Sequence, residues 1–332
     1  MRKPVLLLLC LVFCCCKSRQ PNVSSRTDGK GGGAAASGLV RSSGKILGND
    51  NPPSLFPVQV DGKFGYIDKK GKLVVKADFA GGSRFSQGLA AVQLTKGGRV
   101  GFIDETGTLV IPTQFDLADP FSEGYAAVMK SHKWGYIDRT GQVVIPLEFD
   151  AAEFFSAGIA GVGKIESTTA TTFFYINRNG EPAFDATKYH FETILPFGDG
   201  LAAVRRFGQY FSFIDPSGKT VIPPQFMAAA VFADGLAPVN LHVAEGMRWG
   251  FIGKDGKMVI RAHFASALAF SGGLAAVQMI DGKWGYIDTK GSMVITPKFD
   301  SALPFYNGMA QVSVGSTPGY IDPTGKYVWG PK

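Results

Sequence analysis

Lys133-Trp134-Gly135-Tyr136-Ile137-Asp138-Arg139-Thr140-Gly141-Gln142-Val143-Val144-Ile145-Pro146 is the stretch on which the fold turns. Its first half recurs as Phe64-Gly65-Tyr66-Ile67-Asp68, where side chains alternate. Phe64, Tyr66 and Asp68 share one face of a period-two strand, and Gly65 with Ile67 share the other; the glycine lets something approach the backbone closely. Asp, two residues, then Gly predicts a type I turn, with the carboxylate bonding local amides and the glycine at positive φ. The apolar pair that follows opens a second strand, which Pro112, Pro146 or Pro223 is expected to stop.

Moving outward, the motif returns eight times. Its second position is Gly65, Gly101, Gly135, Phe174, Ser212, Gly250, Gly285 and Gly319, at intervals of 36, 34, 39, 38, 38, 35 and 34 residues. Tryptophan precedes the glycine at Trp134, Trp249 and Trp284. A Phe-Ser-x-Gly-Leu-Ala-Ala-Val block keeps the same phase, as in Phe85 to Val92, Phe121 to Val128 and Phe270 to Val277. Its small apolar residues suit a third strand packed on both sides, joined to the next aromatic strand as a hairpin. No window carries a 3.6-residue apolar stripe, so helices are expected to be scarce. Three short strands cannot bury their faces alone, so neighbours must stack. The expected fold is all-β, a tandem array of eight three-stranded β-repeats. An open superhelical array is favoured, because both chain ends look like whole units with no shared blade. The alternative is a closed eight-bladed β-propeller.

These blocks resemble the WG-repeat (KWG-repeat) family. The resemblance rests on Lys133 to Asp138, Lys283 to Asp288, the Val-Ile-Pro segments and the Phe-Ser-x-Gly-Leu-Ala-Ala-Val segments, and covers roughly residues 55–332. It implies a bacterial β-rich repeat protein, often exported, without an established common enzymatic activity. The fourth copy departs most, with Phe174 at the glycine and Asn177 at the aspartate, and the sixth carries Gly253 at the aspartate position.

Residues 1–16 read as an export signal: Arg2 and Lys3, an apolar run from Val5 to Phe13 too short to span a bilayer, then Cys14, Cys15 and Cys16. A cysteine in that place resembles the bacterial lipoprotein signal, so one of the three is the expected acylation site. An ordinary cleaved signal is the alternative. Residues 17–50, rich in Gly, Ser, Ala and basic side chains, are expected to form a flexible tether, and 51–332 the repeat domain. All four cysteines fall in the signal, so the domain holds no disulfide or thiolate site. The formal charge of +7 belongs to the signal and tether; residues 46–332 carry 26 basic and 26 acidic side chains, which argues against nucleic-acid binding.

Candidate chemistry is sparse. His132, His190, His242 and His263 fall at different phases of the repeats, so no metal site is expected. Ser217-Gly218-Lys219-Thr220 lacks the earlier glycine of a phosphate loop. The recurring aspartates read as turn caps and the Trp and Tyr positions as packing groups. No cofactor and no catalytic residue is expected. The irregular fourth unit is the place to look for a binding site, at Tyr189, His190, Arg205 and Arg206. The expectation is a lipid-anchored protein of the cell envelope, at the outer membrane, acting as a non-catalytic scaffold for a protein or glycan partner. An envelope hydrolase acting on glycan or peptide is the alternative.

Overall fold

A computed structural model describes residues 55–167, 170–184 and 191–330, all within a compact unit that begins at Asn51. The signal, its cysteines and the tether lie outside the described residues. Within them there is no α-helix; thirty strands form eight small antiparallel sheets. We number the sheets as blades: blade 1 is 56–79, blade 2 is 81–115, blade 3 is 117–149, blade 4 is 151–177, blade 5 is 193–226, blade 6 is 228–264, blade 7 is 266–299 and blade 8 is 301–329.

Blade 2 shows how the sequence builds one. A two-residue inner strand, Gly81–Gly82, pairs with the small-residue strand Leu89–Gln93. That strand pairs with the motif strand Val100–Asp104, which pairs with the outer strand Leu109–Phe115. Ala90, Ala91, Val92, Phe102 and Ile103 are buried, because each sheet is covered on both faces by its neighbours. The apolar cores therefore lie between blades: Leu89, Phe102 and Ile111 of blade 2 pack with Phe121, Val128 and Ile137 of blade 3. Six of the eight sheets have four strands, where three were expected. The missed element is the inner strand, whose two residues are too few to show a period. Among the described residues blade 1 lacks it, and blade 4 shows isolated bridges, such as Ile176 with Pro182, where other blades have an outer strand.

The ring is closed, so the structure is the propeller alternative and not the favoured open array. Phe56, Val58 and Ile67 of blade 1 form one apolar cluster with Met309 and Tyr320 of blade 8. The Phe56 and Tyr320 rings meet edge-on at 5.7 Å, and the Tyr320 hydroxyl donates to the Pro57 carbonyl at 2.9 Å. From the sequence, closure is expected only through a blade shared between the two chain ends. Closure needs none here, because two whole blades meet face to face as any other pair does.

The prolines do not stop the outer strands. Each lies inside one, at an edge where a missing N–H costs no ladder bond. In blade 3, Trp134 pairs with Phe149 and Tyr136 with Ile145, so the outer strand spends extra residues in a bulge around Pro146. That bulge explains the motif glycine. A Cβ on Gly135 would stand 2.6 Å from the carbonyl oxygens of both Ile145 and Pro146.

Candidate functional site: the two ends of the ring and its inner wall

One end of the ring carries two sets of turns. The first is Asp-x-x-Gly: the Asp68 carboxylate accepts from the amides of Lys70 (2.8 Å) and Lys72 (2.9 Å), and Gly71 sits at φ 80°. The Lys72 amide foremost holds Asp68 below its ordinary pKa. The same capping recurs at Asp104, Asp138, Asp215, Asp288 and Asp322, and Asn177 serves in blade 4.

The second set is the Phe-Ser-x-Gly hairpins. Gln87 and Gly88 both have positive φ, the twist that a two-residue hairpin loop needs. These turns bind one another around the axis. The Ser86 hydroxyl donates to the Phe121 carbonyl, Ser122 to Phe155 and Ser156 to Phe197, each reaching the next blade. The x side chain adds a second link: Gln87, Glu123, Asp199 and Asp234 accept from the glycine amide of the following turn. Seven such turns occur among the described residues, one in each of blades 2 to 8. Blade 8 has Tyr306 where blades 2, 3, 4 and 7 have serine and blades 5 and 6 have Gly198 and Ala233, and its hydroxyl donates to the Phe85 carbonyl of blade 2 at 2.8 Å. The longer side chain reaches past blade 1.

Just before each of these turns the chain passes the inner wall, where blades converge. The wall position is Ser83, Asp119, Glu153, Leu195, Ala230, Leu268 and Leu303 in blades 2 to 8; each amide donates to its own small-residue strand, as Asp119 does to Ala127 and Glu153 to Gly161. Asp119 and Glu153 are thus equivalent carboxylates on adjacent blades. Burial pushes Asp119 up to about 6, and burial with the neighbouring Asp119 charge pushes Glu153 up to about 8. Tyr136 lies beside both; its hydroxyl donates to the Glu153 carbonyl at 2.8 Å. The sequence reading missed this pair. Its signal was available: two acids standing in phase with serine, alanine and leucine of other repeats.

The opposite end carries the hairpins between the small-residue and motif strands. Lys133 bonds Asp150 at 2.6 Å, and the same carboxylate accepts the Ile165 amide of blade 4. Lys283, Asp300 and the Gly315 amide repeat this link between blades 7 and 8. Trp134, Trp249 and Trp284 lie half-buried against the apolar clusters at the start of their motif strands. Gly65, Gly101, Gly250, Gly285 and Gly319 stand like Gly135, each where a Cβ would press within 3 Å of the facing outer strand. Blade 4 has Phe174 at this position, packed on Phe149 of blade 3.

Of the tentative binding residues, Arg205 and Arg206 are at this hairpin end, while Tyr189 and His190 lie outside the described residues. Arg205 bonds Glu192 at 3.0 Å and stacks over Phe211; Arg206 stacks over Phe191. Phe207 and Tyr210 are exposed beside them. His132, His242 and His263 are at this end too, divided between blades 3 and 6. Among the described residues no three His, Cys, Asp or Glu converge as metal ligands.

Comparison with known proteins bears on this architecture. The model of the WG containing repeat matches residues 64–97, 101–134, 134–164, 211–242, 249–284 and 284–317. No curated protein matches the chain. Among solved structures, the computationally designed Ika8 protein is similar at a TM-score of 0.50 and 13% identity, over 75% of this chain and 85% of that one. BamB from Moraxella catarrhalis reaches 0.45 at 13% identity, over 82% and 92% of the two chains. AztD from Citrobacter koseri reaches 0.47 at 16% identity, over 80% and 90%.

Proposed function

The chain belongs to the WG-repeat family, and from that premise we propose that it is a cell-envelope lipoprotein whose propeller is a non-catalytic scaffold for a protein or glycan partner. The observation that carries this reading is a division of labour among polar residues. Those that recur through the repeats are engaged within the ring: the turn aspartates on their own amides, the Phe-Ser serines on the next blade, and Lys133 on Asp150. Those that vary between repeats occupy the inner wall and the hairpin tips. Repetition builds the frame, and departures from it supply recognition.

The partner meets the turn end, where Asp119 and Glu153 offer two carboxylates to its cationic or hydroxyl groups. The lipid anchor, expected at Cys14, Cys15 or Cys16, holds the frame at the outer membrane. Residues 51–332, immobilised and exposed to envelope extract, are expected to retain one partner that Asp119→Asn with Glu153→Gln releases. Retention unchanged by the double variant would overturn the assignment of that end.

A second reading has one specific support. Neighbouring carboxylates, one of which keeps its proton near neutral pH, are what a glycan hydrolase uses as acid and base. Turnover of a glycan or peptide substrate, lost in Glu153→Gln, would replace the scaffold by an enzyme.

A further inference from the structure

We propose that the junction of blades 7 and 8 at the turn end is a binding notch for an aspartate side chain of a partner polypeptide. Two kinds of link tie neighbouring turns of the Phe-Ser-x-Gly set. In one a serine hydroxyl donates to the next phenylalanine carbonyl, and in the other the next glycine amide donates to the x side chain. Blades 2 and 3 share both links, as do blades 3 and 4. Blades 4 and 5 keep the serine link, while Ala157 has no acceptor to offer at x. Blades 5 and 6, and blades 6 and 7, keep the x link through Asp199 and Asp234. Blades 7 and 8 keep neither among the described residues. Gly272 stands at x without a side chain, and the Ser271 hydroxyl and the Gly308 amide make no hydrogen bond.

A third departure opens the gap further. In blades 3 and 4 the residue after the capping Asp or Asn reaches back to the preceding turn: Arg139 donates to the Gln87 carbonyl at 2.8 Å, and Arg178 to the Glu123 carboxylate at 2.9 Å. In blade 8 that residue is Pro323, which has no donor to send. The result is a cleft of about 310 Å³, with Ser271, Gly272 and Gly308 along it and Leu274, Phe305 and Pro323 in its walls. Two donors therefore face a space with apolar sides.

The rest of the ring identifies the occupant. Of the side chains that take a glycine amide at the equivalent place, Glu123, Asp199 and Asp234 are carboxylates, and the two aspartates lie nearest, each at 2.7 Å. Neither aspartate has an ion-pair partner among the described residues, so the seat needs no cation. An amide donating to a carboxylate forms a charge-assisted bond, stronger than one to a neutral oxygen. A carboxylate entering between blades 7 and 8 takes the Gly308 amide and the Ser271 hydroxyl, while Leu274, Phe305 and Pro323 cover its methylene. The notch uses neither Asp119 nor Glu153. It gives the turn end a contact for a partner's anionic group as well as one for its cationic group.

The test uses residues 51–332, the compact unit that contains every apolar cluster of the ring. Backbone amide resonances are followed during titration with N-acetylaspartate methylamide, its asparagine counterpart, N-acetylalanine and glucuronate. The aspartate derivative is expected to shift the Gly308 and Ser271 amides saturably at roughly millimolar concentration. The asparagine derivative should bind about fivefold or more weakly. Gly235 and Gly273, already bonded to carboxylates, are expected to stay put, as is Gly200, whose junction Ser156 closes. Gly272→Asp reproduces the x residue of blades 5 and 6, and the backbone has positive φ at all three places. Its own carboxylate is expected to take the Gly308 amide, abolish binding and raise the melting temperature by roughly 2–4 °C. Ser271→Ala should weaken binding about fivefold at an unchanged melting temperature. No binding, equal binding of the asparagine derivative, an equal shift at Gly200, tighter binding of N-acetylalanine or glucuronate, or binding that survives Gly272→Asp would each overturn the proposal. Retention of an envelope partner, with its dependence on Asp119 and Glu153, is a separate readout, so either assignment can fail while the other stands.

Discussion

At the scale of single residues, the carboxylates divide into two electrostatic classes. Asp68 and Asp215 are held below their ordinary pKa, Asp68 foremost by the Lys72 amide and Asp215 foremost by the Ser217 hydroxyl, so what they add to stability is present at neutral pH and fades as pH falls through the depressed value. Asp119 and Glu153 behave oppositely. Folded Glu153 keeps its proton up to about 8, whereas its ordinary value is 4.5. Between those values the folded chain binds more protons than the unfolded one, so this contribution is complete below pH 4.5 and is lost as pH rises through about 8. Replacing Glu153 by Gln removes the ionisation. The melting temperature of the wild type is expected to fall more steeply between pH 5 and pH 9 than that of Glu153→Gln, with a gap of roughly 2–4 °C at the alkaline end. Parallel melting curves for the two proteins would show that the side chain is already solvated and takes no part. A turn cap is readable from Asp-x-x-Gly because its partners are two and four residues away. The wall pair was hidden, since what makes it unusual is the neighbouring blade.

Among elements, the decisive contact is between the motif strand and the bulged outer strand. Replacing Gly135 with Val would push a branched side chain against the Ile145 and Pro146 carbonyls. The expected cost is about 1–3 kcal/mol, a fall of roughly 3–8 °C in calorimetry. Blade 5 sets the limit of tolerance: Ser212 occupies this place, buried, with its hydroxyl 3.4 Å from the Val204 carbonyl. Gly135→Ser should therefore cost less than half as much as Gly135→Val, and equal costs would refute the bulge as the cause. Strand identity, turn chemistry and the need for a glycine at Gly65 or Gly285 were all legible along the chain, because each depends on residues within a few positions. Two features were not. The inner strands, such as Ala151–Ala152, are paired by only two residues. Proline at Pro146 reads as a terminator until the strand is known to be an edge that bulges.

For the whole molecule, closure turns eight marginal sheets into one cooperative body. Every blade buries both faces, and the first and last do so against each other through Phe56, Val58, Met309 and Tyr320. Truncation after Asp300 would strip blade 8 and bare the apolar faces of blades 1 and 7. Such a chain is expected to lose its single sharp melting transition and to self-associate on size-exclusion chromatography. An open array would respond otherwise, losing one terminal unit and a proportionate share of stability. Repeat number and period were visible in the sequence, yet whether the ends meet depends on the angle between successive blades, which no local motif encodes.

Tyr306 stands among the seven described inner turns where Ser86, Ser122, Ser156 and Ser271 stand in other blades, and its side chain spans from blade 8 to blade 2. That long bridge removes the rotational ambiguity a regular wheel would present to anything sitting on its hub. A ligand centred there finds one sector crossed by a phenol, so it is keyed to one azimuth, and a near-symmetric frame can hold an asymmetric guest in one orientation.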